Sequence, residues 1–190
     1  SDNFLQKVRA LADRHGVVLI FDECTSGFRE CFGGLHKKFD VNPDIAMFGK
    51  ALGNGYAINA IIGKSAIMQA AQDTFISSTF WTEKLGCVAA NETLKVMEEV
   101  SSWNIITEIG KNVTSIWARA AAESGLELQV SGLPALSSFN FVSEFPLAQK
   151  TLLTKEMLNL GYLSGNAFYP SICHTEIILE EYEENLTKSF

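Results

Sequence analysis

The sequence lacks any apolar run approaching the roughly 20 residues that a membrane-spanning helix needs. Its opening, SDNFLQKVRA, has neither the basic region nor the apolar stretch of a secretory signal. These absences argue against membrane insertion and secretion, and a cytoplasmic location is expected. Basic residues are in the minority: 15 Lys and Arg stand against 22 Asp and Glu, for a formal net charge of −7. Without a basic stripe, a nucleic-acid surface is not expected. The acidic residues gather in EIILEEYEEN, which reads as the solvated face of a last helix. Cysteine is also scarce. Cys24, Cys31, Cys87 and Cys173 are scattered and form no C-x-x-C pair, so reduced thiols are expected rather than a zinc knuckle or a redox couple. His36 and His174 lie near Cys31 and Cys173, but no third or fourth ligand completes a pattern, and no metal is expected.

What is present is a chain of 190 residues, 47% hydrophobic and 19% charged, enough for a sizeable core. Asp2 or Asn3 can cap a first helix with Phe4, Leu5, Val8, Leu11 and Ala12 at helical spacing, closed by His15 and Gly16. VVLIF, residues 17–21, is the kind of run that a strand buried on both faces shows in a helix-covered parallel sheet. Further strands are predicted at 44–48 and within AINAIIG, then a helix over 65–72. Cys87, Ala90, Leu94 and Met97 form the stripe of another helix, for which Thr82 is a candidate cap. Ile106, Ile109, Val113, Ile116 and Ala120 mark a long helix after SSWN. Then LELQVSG and ALSSFNFV read as a strand pair, followed by a helix over 148–161 and the acidic helix. The spacing predicts an α/β domain over 1–102 and a smaller α+β domain over 103–190 that includes the linking helix.

The chemistry concentrates around PDIAMFGKALGNGYAINAIIG. Lys50 stands where an apolar strand gives way to a glycine-rich loop, with Gly53 and Gly55 suited to positive φ or close backbone approach. From this segment alone, a snorkelling surface lysine followed by an ordinary turn is the better-supported reading. Asp22 likewise follows an apolar strand, and the carboxyl ends of strands in open α/β sheets are where ligands bind. A carboxylate there and an amine here suit pyridoxal phosphate, with Asp22 on the pyridine nitrogen and Lys50 as Schiff-base lysine and later general base. Nucleotide motifs fail on spacing. A Walker loop is missing its first glycine before either lysine, and GNGYAI has Ile58 where a dinucleotide fingerprint needs its third glycine.

HGVVLIFDECTSGFRECFGG, followed by VNPDIAMFGKALGNGYAINAIIGK, closely resembles the class III aminotransferases, especially the glutamate-1-semialdehyde aminomutase branch. The likeness is firm from residue 4 to about 100 and fainter through GYLSGNAFYPSICHTEIILEEY. It implies fold type I, with the later part of the large mixed-sheet domain followed by the small C-terminal domain. It implies a homodimer with active sites across the interface, and pyridoxal 5'-phosphate as cofactor for small amino and carbonyl substrates. It assigns Lys50 and Asp22 the roles above, packs Cys24 on the cofactor ring where the family has a small aliphatic residue, and has Thr79 reach the phosphate of the neighbouring subunit.

Trp81, Thr82, Glu83 and Lys84 depart from the family's GGNP, which leaves the substrate open. Glu23 is as readily a structural ion-pair partner as an orienting group, and Arg29 could fork a carboxylate, although a loop arginine most often braces its loop. The resemblance further implies an upstream half bearing the phosphate loop and a stacking aromatic, without which the chain alone is expected to be inactive. Amino transfer, to an acceptor or within one molecule, is the leading expectation. Another fold type I reaction such as racemisation, or a fragment without catalysis, is the alternative.

Overall fold

The computed structural model describes residues 3–80 and 82–190, so Asp2 as a cap and Trp81, the first of the departures from GGNP, lie outside the described residues. The chain divides into two compact units, one running to Trp103 and the other covering Asn104–Phe190.

In the first unit, helix α1 (Phe4–His15) ends as its sequence predicts: Gly16 takes a left-handed φ of 61° and its N–H caps the carbonyls of Ala12 and Asp13. Asn3 precedes the helix without a side-chain cap. Strand β1 (Ile20–Asp22) pairs in parallel with β2 (Ile45–Phe48), with Asp22 opposite Met47, and β2 pairs antiparallel with β3 (Ala60–Gly63). The strand predicted over 17–21 is therefore shorter and later, and it is not buried on both faces. Ile20 is 51% exposed, and Val17 and Val18 are exposed ahead of the strand. The physical reason is that little in this chain covers Ile20; an apolar run announces a preference for burial without supplying the layer that buries it.

A short helix α2 (Ser65–Met68) and a 3-10 turn (Gln69–Asp73) follow, then α3 (Lys84–Val100). The α3 stripe is largely as read: Ala90 is buried and Leu94 and Met97 pack beside Phe28, Ala46, Phe48 and Leu52. Cys87 is exposed, however, and its neighbour Gly86 is buried, approaching the carbonyl of Ala57 closely enough that a Cβ would lie 3.1 Å away. Thr82 is not the cap; Glu83 precedes the helix, with no side-chain cap bond.

Asp44 ties the unit together. Its buried carboxylate accepts the backbone N–H of Leu19 at 2.8 Å, pairs with Lys64 at 2.7 Å and with Arg9 at 2.9 Å, linking α1, the approach to β1 and the end of β3. The Leu19 N–H, then Lys64 and Arg9, hold this carboxyl well below the usual carboxylate range. A depressed folded-state pKa means that its stabilisation is complete above about pH 4 and is lost as pH falls through the folded value. Asp44→Asn is therefore expected to lower the melting temperature at neutral pH. In melts run down a pH series, its deficit relative to the unaltered protein should shrink toward strong acid; a deficit independent of pH would show that the charge is not what matters.

The second unit is built on α4 (Ser102–Glu123), hairpin strands β4 (Leu128–Leu133) and β5 (Leu136–Phe141), helix α5 (Pro146–Asn159), the two-residue strand β6 (Ala167–Phe168) and α6 (Glu176–Ser189). β5 is the central strand, antiparallel to both neighbours. The core gathers Val113, Ile116, Trp117 and Ala120 with Phe139, Phe141, Leu153 and Met157. The acidic helix closes it with Leu179, Tyr182 and Leu186. Trp117 is fully buried and satisfies its indole N–H on the Tyr182 hydroxyl at 2.8 Å. No helix among the described residues is long and apolar enough to cross a membrane.

Candidate active site

Because β1 and β2 are parallel neighbours in register, their carboxyl ends lie at one edge of the sheet. Asp22 closes β1 and Lys50 comes two residues after β2 ends at Phe48.

The Asp22 carboxylate is exposed, and its Oδ1 accepts the backbone N–H of Cys24 at 3.0 Å. This local bond fixes the start of the 23–34 connection. Glu23 fixes the rest. It is only 4% exposed and accepts Ser26 Oγ at 2.5 Å and the N–H groups of Leu35 and His36 at 3.0 Å each, while His36 Nδ1 lies 2.9 Å from Oε1. Burial alone would raise the Glu23 carboxyl, but the hydrogen bonds from Ser26, His36 and Leu35 together leave it below its ordinary value. Gly27 lets the loop settle on β2, for a Cβ there would stand 2.7 Å from the Phe48 ring and 2.8 Å from the Glu23 carbonyl.

Glu23 thus anchors the turn that carries Cys24 and Thr25. Glu23→Ala is expected to strand these buried donors and to cost about 2–3 kcal/mol of stability. Denaturant melts measure this, and an unchanged midpoint would dismiss the anchoring role.

Lys50 is held from two directions. Its backbone sits in the left-handed region at φ 45°, unusual for a residue with a side chain, and its carbonyl accepts the N–H groups of Gly53 at 3.1 Å and Asn54 at 3.0 Å. Its ammonium donates to Thr25 Oγ1. Before it, Gly49 is buried beneath Asn59 and Cys24; a Cβ would collide with the Asn59 side chain and come within 3.4 Å of the Cys24 sulfur. In the glycine cluster, the positive φ falls on Gly55 at 103°. Gly53 instead serves close approach, since a Cβ there would stand 2.9 Å from Ile58 Cγ2.

Cys24 is half-buried between these charges. Burial pushes its thiol up, hydrogen bonding to Asp22 and the Asp22 charge push it further, and Lys50 acts in the opposite sense. Asp22, Cys24 and Lys50 are thus brought together.

Thr79 stands outside this hydrogen-bonded set, in an exposed turn of the irregular connection before α3. Arg29 Nε donates to the Thr25 carbonyl at 3.4 Å and so braces the turn. His174 accepts the Ser171 N–H at 2.9 Å and packs its ring, tilted by 50°, against Phe168. Among the described residues no group of three His, Cys, Asp or Glu is placed to hold a metal.

Sequence reasoning missed Thr25. The only signal was a hydroxyl residue next to Cys24, and the contact to Lys50, 25 positions away, exists only in the folded chain.

Comparison with known proteins gives the family and the fold. Residues 1–174 match the class-III aminotransferase family, and the chain belongs to that family. It is 35% identical over 184 residues to a 3-aminobutyryl-CoA aminotransferase of Cloacimonas acidaminovorans (strain Evry), covering 96% of this chain and 44% of that protein. It is 30% identical over 196 residues to a glutamate-1-semialdehyde 2,1-aminomutase of Bdellovibrio bacteriovorus, covering 94% of this chain and 46% of that protein. The chain therefore spans about half the length of the curated relatives it matches. Among solved structures, the FumI protein of Sphingopyxis sp. MTA144 superposes with a TM-score of 0.92 at 24% identity, over 98% of this chain and 45% of that one. The fold is that of fold type I pyridoxal-phosphate-dependent transferases, of which the chain covers part.

Proposed function

We propose that the whole protein catalyses amino-group transfer, either to a separate carbonyl acceptor or within one substrate molecule, through Lys50 and Asp22. The observation that carries this reading is the convergence of an exposed carboxylate and an amine at the ends of adjacent parallel strands, with Cys24 between them.

Pyridoxal phosphate is the cofactor that membership of the class-III family indicates. The residues present fit it: a carboxylate for the ring nitrogen, a small soft side chain for the ring face, and a primary amine for the aldehyde carbon. When bound, the cofactor supplies an electron sink for the bond broken at the substrate carbon. Asp22 would bind the ring nitrogen and keep a proton on it. Lys50 would hold the cofactor through its aldehyde carbon and serve as the amine that moves the proton at the substrate carbon. Cys24 supplies packing surface.

Thr79 is assigned to the cofactor phosphate of a second subunit, which makes the protein a homodimer with shared sites. This assignment rests on the family pattern. The domain division at 102/103 and a cytoplasmic location belong to the same reading.

The experiment is an amine-donor screen on the whole protein with pyridoxal phosphate, scoring carbonyl products against isomerised ones. Carbonyl product with amine appearing on an acceptor indicates transfer between molecules, and migration of the amine within one molecule indicates a mutase. Inversion of the donor without either product would contradict amino transfer.

A further inference from the structure

Thr25 has no role in the reading given so far, yet its hydroxyl accepts the hydrogen bond donated by the Lys50 ammonium. We propose that Thr25 is a positioning residue for Lys50, holding the lysine amine against the 22–25 turn that also carries Asp22 and Cys24. The inference rests on Lys50 being the cofactor lysine.

Three features support it. A lysine has a long, flexible stem and without a partner samples many rotamers. Here the backbone beneath it is fixed by the Gly53 and Asn54 N–H groups on its carbonyl. Thr25 is fixed as well, because its carbonyl accepts from Arg29, its neighbour Cys24 is bonded through its N–H to Asp22, and Ser26 is bonded to the buried Glu23. Being β-branched, Thr25 has a restricted χ1. Two anchored ends therefore set where the amine rests. The acceptor's chemistry also suits the task. A carboxylate at this place would bind the ammonium as a charge-assisted pair, roughly twice as strong as a neutral hydrogen bond. A hydroxyl orients the amine and can release it, as a lysine that alternates between holding the cofactor and moving a proton requires.

The test uses the whole protein stripped of cofactor. Pyridoxal phosphate is added, borohydride quenches samples at timed intervals, and peptide mass spectrometry locates the label. In the labelling step the lysine amine adds to the aldehyde carbon and one water leaves; hydride from borohydride and a proton from solvent then fix the C–N bond. Lys95, exposed on α3, is the reference amine.

Thr25→Val is expected to slow labelling of Lys50 about tenfold, while Lys95 is unchanged and Thr25→Ser stays within about threefold of the unaltered protein. Should Thr25→Val perturb folding, as a changed Lys95 rate would reveal, Thr25→Ala against Thr25→Ser carries the same comparison. Labelling of Lys50 at the unaltered rate in the variants without a hydroxyl would overturn the proposal, and so would a Thr25→Ser variant as slow as they are. Absence of label from Lys50 in the unaltered protein is a different result: it removes the Lys50 reading itself, and Thr25's role with it.

Discussion

Lys50→Ala in the whole protein is expected to lower turnover by on the order of 10⁴-fold or more and to abolish covalent retention of pyridoxal phosphate, with little change in the melting temperature. The large effect follows from two roles falling on one amine, which holds the cofactor and moves the substrate proton. The small structural effect follows from exposure: the side chain is at the surface and its ammonium donates to the Thr25 hydroxyl. Truncation also leaves the φ of 45° in place, so the loop keeps its shape through the Gly53 and Asn54 bonds to the residue-50 carbonyl. Lys64→Ala is the control. That residue pairs with Asp44, so its loss should touch stability and spare turnover. The reverse pattern, with cofactor lost from the Lys64 variant and kept by the Lys50 variant, would move the site to the other end of β3.

Asp22→Asn is expected to reduce turnover by at least about two orders of magnitude, since one preorganised electrostatic partner contributes roughly 3 kcal/mol to a transition state. Asparagine keeps the shape, and its side-chain oxygen can still accept the Cys24 N–H that starts the turn. What disappears is the negative charge that binds a protonated ring nitrogen. The same substitution has a second readout that needs no turnover. Burial is the main reason the Cys24 thiol is pushed up, and Asp22 adds to it, whereas Lys50 opposes it. Removing the Asp22 charge should make Cys24 more acidic, so its alkylation by iodoacetamide at neutral pH should speed up. Near-normal turnover in the asparagine variant would remove Asp22 from the cofactor's nitrogen, whatever happens to the thiol.

The parts of this site legible in the sequence are those that local pattern encodes. An apolar run ending in Asp22 and another ending at Gly49-Lys50 are each visible along the chain, and the parallel pairing of β1 and β2 puts their ends side by side. Helix faces were legible for the same reason: Val113, Ile116 and Ala120 recur at helical spacing and are buried.

What was not legible depends on contacts far apart in sequence. Glu23 is the centre of a loop closed by residues up to 13 positions away, and nothing in DECTSGFR says that Leu35 and His36 return to it. Asp44 read only as the first residue of a predicted strand, although it gathers Arg9, Leu19 and Lys64. Strand β6 is two residues long and gives no periodic signal. The extent of β1 was over-read because five apolar residues in a row state a preference, while the pairing partner decides how many become strand.

The most direct measurement of the central claim is a single-turnover half-reaction. The whole protein, loaded with pyridoxal phosphate and freed of excess, is mixed with one amino donor in the absence of any carbonyl acceptor, and both donor and carbonyl product are quantified. Transfer between molecules through Lys50 and Asp22 predicts a burst of carbonyl product close to one equivalent per active site that stops until an acceptor is added, transfer within one molecule predicts continuous formation of the isomerised amine, and Lys50→Ala should show neither. Across donors chosen from the screen, continuous racemisation without carbonyl product, or a burst that survives in Lys50→Ala, would contradict it.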